Sequence, residues 1–188
     1  MSEARDAELD AVLIGGREHR EIVVVEYDEA WPAQAKALID SIRAAVGPVA
    51  LAVHHIGSTS VPGLAAKPIL DLLLVVADVT AEDGYVGPLE QAGWVLRVRE
   101  EGHRLLRTPA RDVHLHVLPP ATAAEADYLD LRDWLRVNAD DRALYARTKR
   151  DLAARDWTDM NYYADAKTPV IAEVLGRARA WRQAASAT

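Results

Sequence analysis

The stretch from Val49 to Val76 constrains the fold more than any other part of the chain. An apolar run from Val49 to Ile56, interrupted by His54 and His55, stops at Gly57. Ser58, Thr59 and Ser60 follow, and Lys67-Pro68 leads into a second run, Ile69 to Val76, whose only polar member is Asp71. The pattern predicts strand, small-residue loop, strand, with a carboxylate inside the second strand. A strand apolar on both sides of its alternation is usually buried on both faces. A lone carboxylate there is costly unless it meets a metal, a cation or several donors. The alternative is a Lys67–Asp71 or His–Asp pair that only locks the loop.

The loop has chemistry of its own. Gly57 and Gly63 allow positive φ or a close backbone approach to a ligand. Ser58, Thr59 and Ser60 add hydroxyl donors beside free backbone amides, and Lys67 adds a cation, a combination suited to phosphate. It is not a Walker A loop, because five residues separate Gly57 from Gly63 and no Lys-Ser or Lys-Thr pair follows.

Residues 1–20 read as a mobile or loosely docked arm hinged at Gly15-Gly16, and the valine-rich Glu21–Tyr27 reads as a strand. Trp31, Ala35, Leu38, Ile39, Ile42 and Val46 recur at helical spacing behind Pro32, and Gly47-Pro48 ends that helix. Strands are expected over Trp94–Val98, His103–Thr108 and Asp112–Leu118, joined by hairpin-short turns. From about Ala124 the spacing turns helical, with three helices expected and the last opening near Pro169. The fold class is α/β (α+β): a mixed sheet of five or so strands with helices on one side. The organisation is an arm (1–20), an α/β core (21–120) and a C-terminal helical segment packed on it (121–188).

In His114-Leu115-His116, alternation puts both imidazoles on one strand face, about 6.5 to 7 Å apart. With Asp71 or His55 as a third ligand they could chelate Zn²⁺, Mn²⁺ or Fe²⁺, which suit imidazole better than Mg²⁺ does. The alternative is a polar sheet face bonded to water. His54 is expected to point away from the site. Arg132 and Arg136, one helical turn apart, could grip a phosphate or form a solvated face with Asp133.

Composition narrows the partners. The net charge of −7 argues against a general nucleic-acid binder. The absence of cysteine removes disulfides and thiolate sites and is compatible with a reducing compartment. A polar N-terminus and the lack of a run near the ~20 residues of a membrane span predict a cytoplasmic protein that needs no membrane.

A further set of residues carries a family resemblance: Tyr27, Trp31 and Pro32; His55-Ile56-Gly57-Ser58-Thr59; Val61-Pro62-Gly63; Lys67-Pro68 and Asp71; Gly93-Trp94; His114-Leu115-His116-Val117; Leu131-Arg132-Asp133-Trp134-Leu135-Arg136; and Tyr145 with Lys149. The chain resembles the GrpB family (UPF0157), which belongs by fold with the nucleotidyltransferases, from about Ile22 to about Trp181. The resemblance implies a nucleotidyltransferase-like sheet whose Gly-Ser loop holds a triphosphate while carboxylates bind Mg²⁺ or Mn²⁺. An acceptor hydroxyl or amine would attack the α-phosphorus and release pyrophosphate. Asp71 would bind metal, and His116 would be a second ligand or general base. Gly57, Ser58, Thr59, Ser60, Lys67 and Arg132 would hold a nucleotide or other phosphorylated small molecule. The sequence departs from that pattern, since Ile69 and Leu73 stand two residues either side of Asp71 and the later strand offers His114 and His116 in place of an acid. Two other readings follow: a non-catalytic nucleotide- or CoA-binding module, since family members are found joined to dephospho-CoA kinase, and a metal-dependent hydrolase using Asp71, His114 and His116.

Overall fold

The computed structural model of the protein describes residues 3–18 and 21–186; residues 1, 2, 19 and 20 of the expected arm and residues 187 and 188 lie outside it. Five strands form one sheet: β1 (Ala52–Ile56), β2 (Leu70–Val75), β3 (Val95–Glu100), β4 (His103–Arg107) and β5 (Val113–Leu118). Their spatial order is β1-β2-β5-β4-β3. Only the β2–β5 pair is parallel; the others are antiparallel, so the sheet is mixed as expected. The central parallel pair sets the register that matters: Asp71 lies beside His114, and Leu73 beside His116.

The helices cover both faces, not one. On one face Leu70, Leu72, Leu74, Val113, Leu115 and Val117 pack against α2 (Trp31–Val46) and α3 (Val86–Gln91). On the other, Ile56, Leu73, Val75 and Leu118 meet Tyr128 and Leu129 of α4 (Ala123–Val137). Two covered faces follow from β2, where every residue except Asp71 is buried. After α4 come α5 (Ala139–Ala153), α6 (Met160–Ala166) and α7 (Thr168–Ser186), four helices where three were expected. The unexpected one is α6, opened by Asp159, whose Oδ1 accepts from Asn161 N; Thr122 Oγ1, accepting from Glu125 N, and Asn138 Oδ1, accepting from Asp141 N, cap α4 and α5. Leu135, Tyr145, Val170 and Val174 of these helices form a second core with Val61 and Leu64. The loop after β1 is thereby built into the helical segment.

Glu21–Tyr27 does not join the sheet. Val25 makes a single two-way bridge with Ala66 (N–H to O distances of 2.8 and 2.9 Å), while Val25 and Tyr27 pack against the main core. The arm is docked rather than loose. Its helix α1 (Glu3–Val12) ties to Asp165 through Arg5 at 2.9 Å, Leu13 bridges Val98, and buried Arg97 donates to the carbonyls of Ile14 and Gly16.

Candidate functional site

Gly57 has φ +67°, and a Cβ placed on it would lie 2.5 Å from Asp71 Oδ2 and 2.9 Å from Asp71 Cβ. Only glycine lets the loop backbone press against that carboxylate. The next three residues make a tight 3₁₀ turn that points two of the three hydroxyls inward. Thr59, fully buried, bonds His55 Nε2 through Oγ1 at 3.0 Å, and Ser60 Oγ donates to Gly57 O at 2.6 Å. Thr59 and Ser60 therefore hold the loop instead of offering donors to a ligand. Arg136 donates twice to Ser60 O, at 3.0 and 2.8 Å, so it is a loop clamp as well. Ser58 alone of the three hydroxyl residues lines the cleft.

That cleft, about 350 Å³, lies over the Asp71 face of the sheet and under α4, α5, α6 and α7. Among the described residues, Asp71 is the single carboxylate in its lining, and Lys67, Arg132, Lys149 and Lys167 are its basic side chains. His114 Nδ1 stands 3.3 Å from Asp71 Oδ1. Burial by itself would push the Asp71 carboxyl up, but the His114 hydrogen bond and nearby positive charge, that of Lys67 included, outweigh it and hold it at about 2. Asp71 is thus an anion at neutral pH.

The cations are held on aromatic rings. Lys149 Nζ lies 4.6 Å from the Tyr145 ring centroid and donates to Ala65 O at 2.5 Å. Lys67 and Lys167 stand 5.0 and 4.9 Å from the Tyr163 ring centroid. Burial pushes Lys149 down to about 7 and also lowers Lys167. The Tyr163 hydroxyl is buried without a hydrogen-bond partner among the described residues. Arg132 borders the cleft while donating to His55 O at 3.2 Å and pairing with Asp133 at 2.7 Å. Tyr128, Tyr145 and Tyr163 escaped the sequence reading as site residues. A signal was present, since Tyr145/Lys149 and Tyr163/Lys167 repeat a Tyr-x-x-x-Lys spacing that sets each ammonium over the ring one turn back.

The histidines do not form the expected metal cluster. His55 pairs with Leu72 on the α2 face of the sheet, opposite to Asp71, and burial pushes it down to about 4. His54, expected to point away, is the one that shares the Asp71 face. His116 stacks on His103 with centroids 5.3 Å apart, and its Nδ1 is shared with His103 Nε2 at 3.1 Å and the Tyr128 hydroxyl at 3.3 Å. Burial pushes His116 down to about 3, which leaves it neutral but too weak to serve as a general base near neutral pH. Among the described residues no three His, Cys, Asp or Glu side chains gather closely enough to hold a metal ion. The donor set fits neither the two-metal carboxylate site that a nucleotidyltransferase fold implies nor an Asp71/His114/His116 transition-metal site. Two-metal sites need several oxygen ligands, and this cleft supplies one carboxylate among ammonium and guanidinium groups.

The mixed five-stranded sheet with its helices is similar in fold to nucleotidyltransferase-fold proteins. One solved structure with that likeness, the Cid1 poly(U) polymerase with Mg 3′-dATP bound, has a TM-score of 0.52 at 12% identity over 69% of this chain and 44% of that one. Residues 21–177 match the family described as GrpB protein, and the chain belongs to that family. It is 50% identical to a UPF0157 protein of Streptomyces coelicolor over 91% of each chain. The crystal structure of GrpB from Enterococcus faecalis superposes with a TM-score of 0.75 at 30% identity, covering 85% of this chain and 99% of that one. A dephospho-CoA kinase of Mycolicibacterium paratuberculosis matches at 29% identity over 84% of this chain and 46% of its own length. No helix among the described residues is long and apolar enough to cross a membrane.

Proposed function

We propose that this protein binds a nucleotide or another phosphorylated small molecule in the cleft, with Ser58, Lys67, Arg132, Lys149 and Lys167 as anion contacts and no bridging divalent metal. The observation that carries the reading is the make-up of the lining: four basic side chains drawn from separate parts of the chain converge around one carboxylate. In a cleft walled by Ile69, Leu131, Leu135 and Ile171, those charges are only partly screened and favour an incoming polyanion.

Calorimetric titration with ATP, GTP, CTP, UTP, CoA and pyrophosphate, each with Mg²⁺ and with EDTA, tests it. Binding is expected to persist in EDTA and to weaken with added salt. Asp71→Asn removes the one repelling charge and is expected to tighten metal-free binding several-fold. Loss of binding in EDTA, or in Asp71→Asn, would refute the metal-free reading. CoA is in the panel because of the relative named dephospho-CoA kinase.

A second reading is nucleotidyl transfer. It is supported by the ionised Asp71 lying against the Gly57 backbone at the cleft wall, and turnover of labelled nucleoside triphosphates with Mg²⁺ or Mn²⁺ would select it over binding alone.

A further inference from the structure

A second concentration of positive charge lies next to the cleft and is not explained by it. Arg97 of β3, Arg107 at the end of β4 and Arg111 in the β4–β5 turn all face the carboxylate of Glu18, at the end of the arm. Arg107 makes a fork-on-fork pair with it, at 2.8 and 3.0 Å. Arg111 reaches it at 3.2 Å from a left-handed backbone position, φ 61°, and Arg97 stands 3.9 Å away. The nearby Asp159 carboxylate already accepts from Glu18 N at 2.6 Å and from Asn161 N at 2.8 Å.

Among the described residues, three guanidinium groups face Glu18 and Asp159, and Arg97 has only 7% of its side chain exposed, with its close hydrogen bonds going to the neutral carbonyls of Ile14 and Gly16. A buried guanidinium answered by neutral carbonyls and a carboxylate at the edge of ion-pair range retains a demand for anion. Planar forks of this kind match phosphate oxygens as well as carboxylate oxygens. A small cavity of about 90 Å³ sits here, lined by Glu18, Arg97, Arg107 and Asp159, and it shares Leu105, His114, Met160 and Asn161 with the main cleft. The arm does not depend on Glu18 for its place, since Arg5–Asp165, Leu13–Val98 and Arg97–Ile14 hold it independently.

We infer that Arg97, Arg107 and Arg111 form a second anion-binding site, occupied in this conformation by the chain's own Glu18 carboxylate and reached from the cleft by a phosphate group that displaces it. The inference concerns a separate cluster of residues, and relies on the proposed function only for the ligand that would span both sites. A phosphate dianion exceeds the carboxylate in charge and in acceptor oxygens, so three guanidinium groups favour the exchange once the phosphate is delivered by a ligand already seated next door.

Calorimetric titration with inorganic phosphate of the full chain, of Glu18→Gln and of Glu18→Gln/Arg107→Gln tests the inference, with thermal denaturation as the check of folding. Glu18→Gln is expected to gain a phosphate-binding event about ten-fold or more tighter at this site than in the unmodified chain, and the added Arg107→Gln to remove it. An isotherm of folded Glu18→Gln identical to that of the unmodified chain overturns the inference. Phosphate binding in the cleft would be common to all three proteins, so its absence would count against the proposed function and not against this site. Should Glu18→Gln fail to fold, the Arg107 Nε–H resonance of the unmodified chain decides: a saturable shift with phosphate is expected, and an unmoved signal overturns the inference.

Discussion

Lys149 links the burial of the cleft to a quantity that can be measured without knowing the ligand. Its residue is 3% exposed, and burial pulls the ammonium from 10.5 to about 7. The folded state therefore binds that proton more weakly than the unfolded state, and stability rises with pH across the window from about 7 to 10.5. The full span of 3.5 units corresponds to about 5 kcal/mol at 1.36 kcal/mol per unit. Buried tyrosines begin to oppose the trend above about pH 10, because Tyr145 is pushed up to about 12. Between pH 7 and 9.5 the lysine alone should contribute a gain of about 3 kcal/mol. Urea denaturation at several pH values and constant ionic strength reads this directly. Lys149→Met keeps the stem on the Tyr145 ring and removes the ammonium, so its profile should lose that rise, even after the ~1–3 kcal/mol cost of leaving Ala65 O unpaired. Parallel profiles for the two proteins would show that Lys149 keeps an ordinary affinity for its proton, and the argument from burial would fail. A bound polyanion should flatten the unmodified profile by restoring the charge.

Gly57→Ala combines a left-handed backbone with a Cβ 2.5 Å from Asp71 Oδ2, whereas Gly63→Ala meets a similar backbone (φ +74°) with nothing within 4 Å. The first should cost about 2–4 kcal/mol and displace the carboxylate, the second only about 1 kcal/mol, as compared by melting temperature; equal losses would show that the close approach to Asp71 has no consequence. Arg136→Ala removes the two hydrogen bonds to Ser60 O from a partly exposed guanidinium, so the expected loss is about 1–2 kcal/mol. Faster amide hydrogen exchange at Val61 should accompany it, and unchanged protection would remove the clamp role.

Side-chain alternation and helical spacing are local properties, and what rested on them was legible. The strand–loop–strand around Gly57, the lone carboxylate in β2, the shared face of His114 and His116 and the five-stranded mixed sheet all came from neighbours in sequence. The missing second carboxylate was equally readable from Ile69 and Leu73. Family membership followed from the same motifs.

What required the folded chain was every statement about which face meets which neighbour. Alternation says that His54 and His55 point oppositely; only the pairing of Ile56 with Asp71 decides that His55 faces away from the cleft. The hydroxyl run could not reveal that a 3₁₀ turn buries Thr59 and Ser60, since that depends on His55 and Arg136 arriving as partners. Lys149 and Lys167 come to the cleft of Asp71 from far along the chain, and Glu18 crosses to Arg107 over a separation of 89 residues. Local sequence sets what each segment can present, while long-range packing, where apolar burial outweighs the cost of enclosing charge, selects which of those groups end up facing one another.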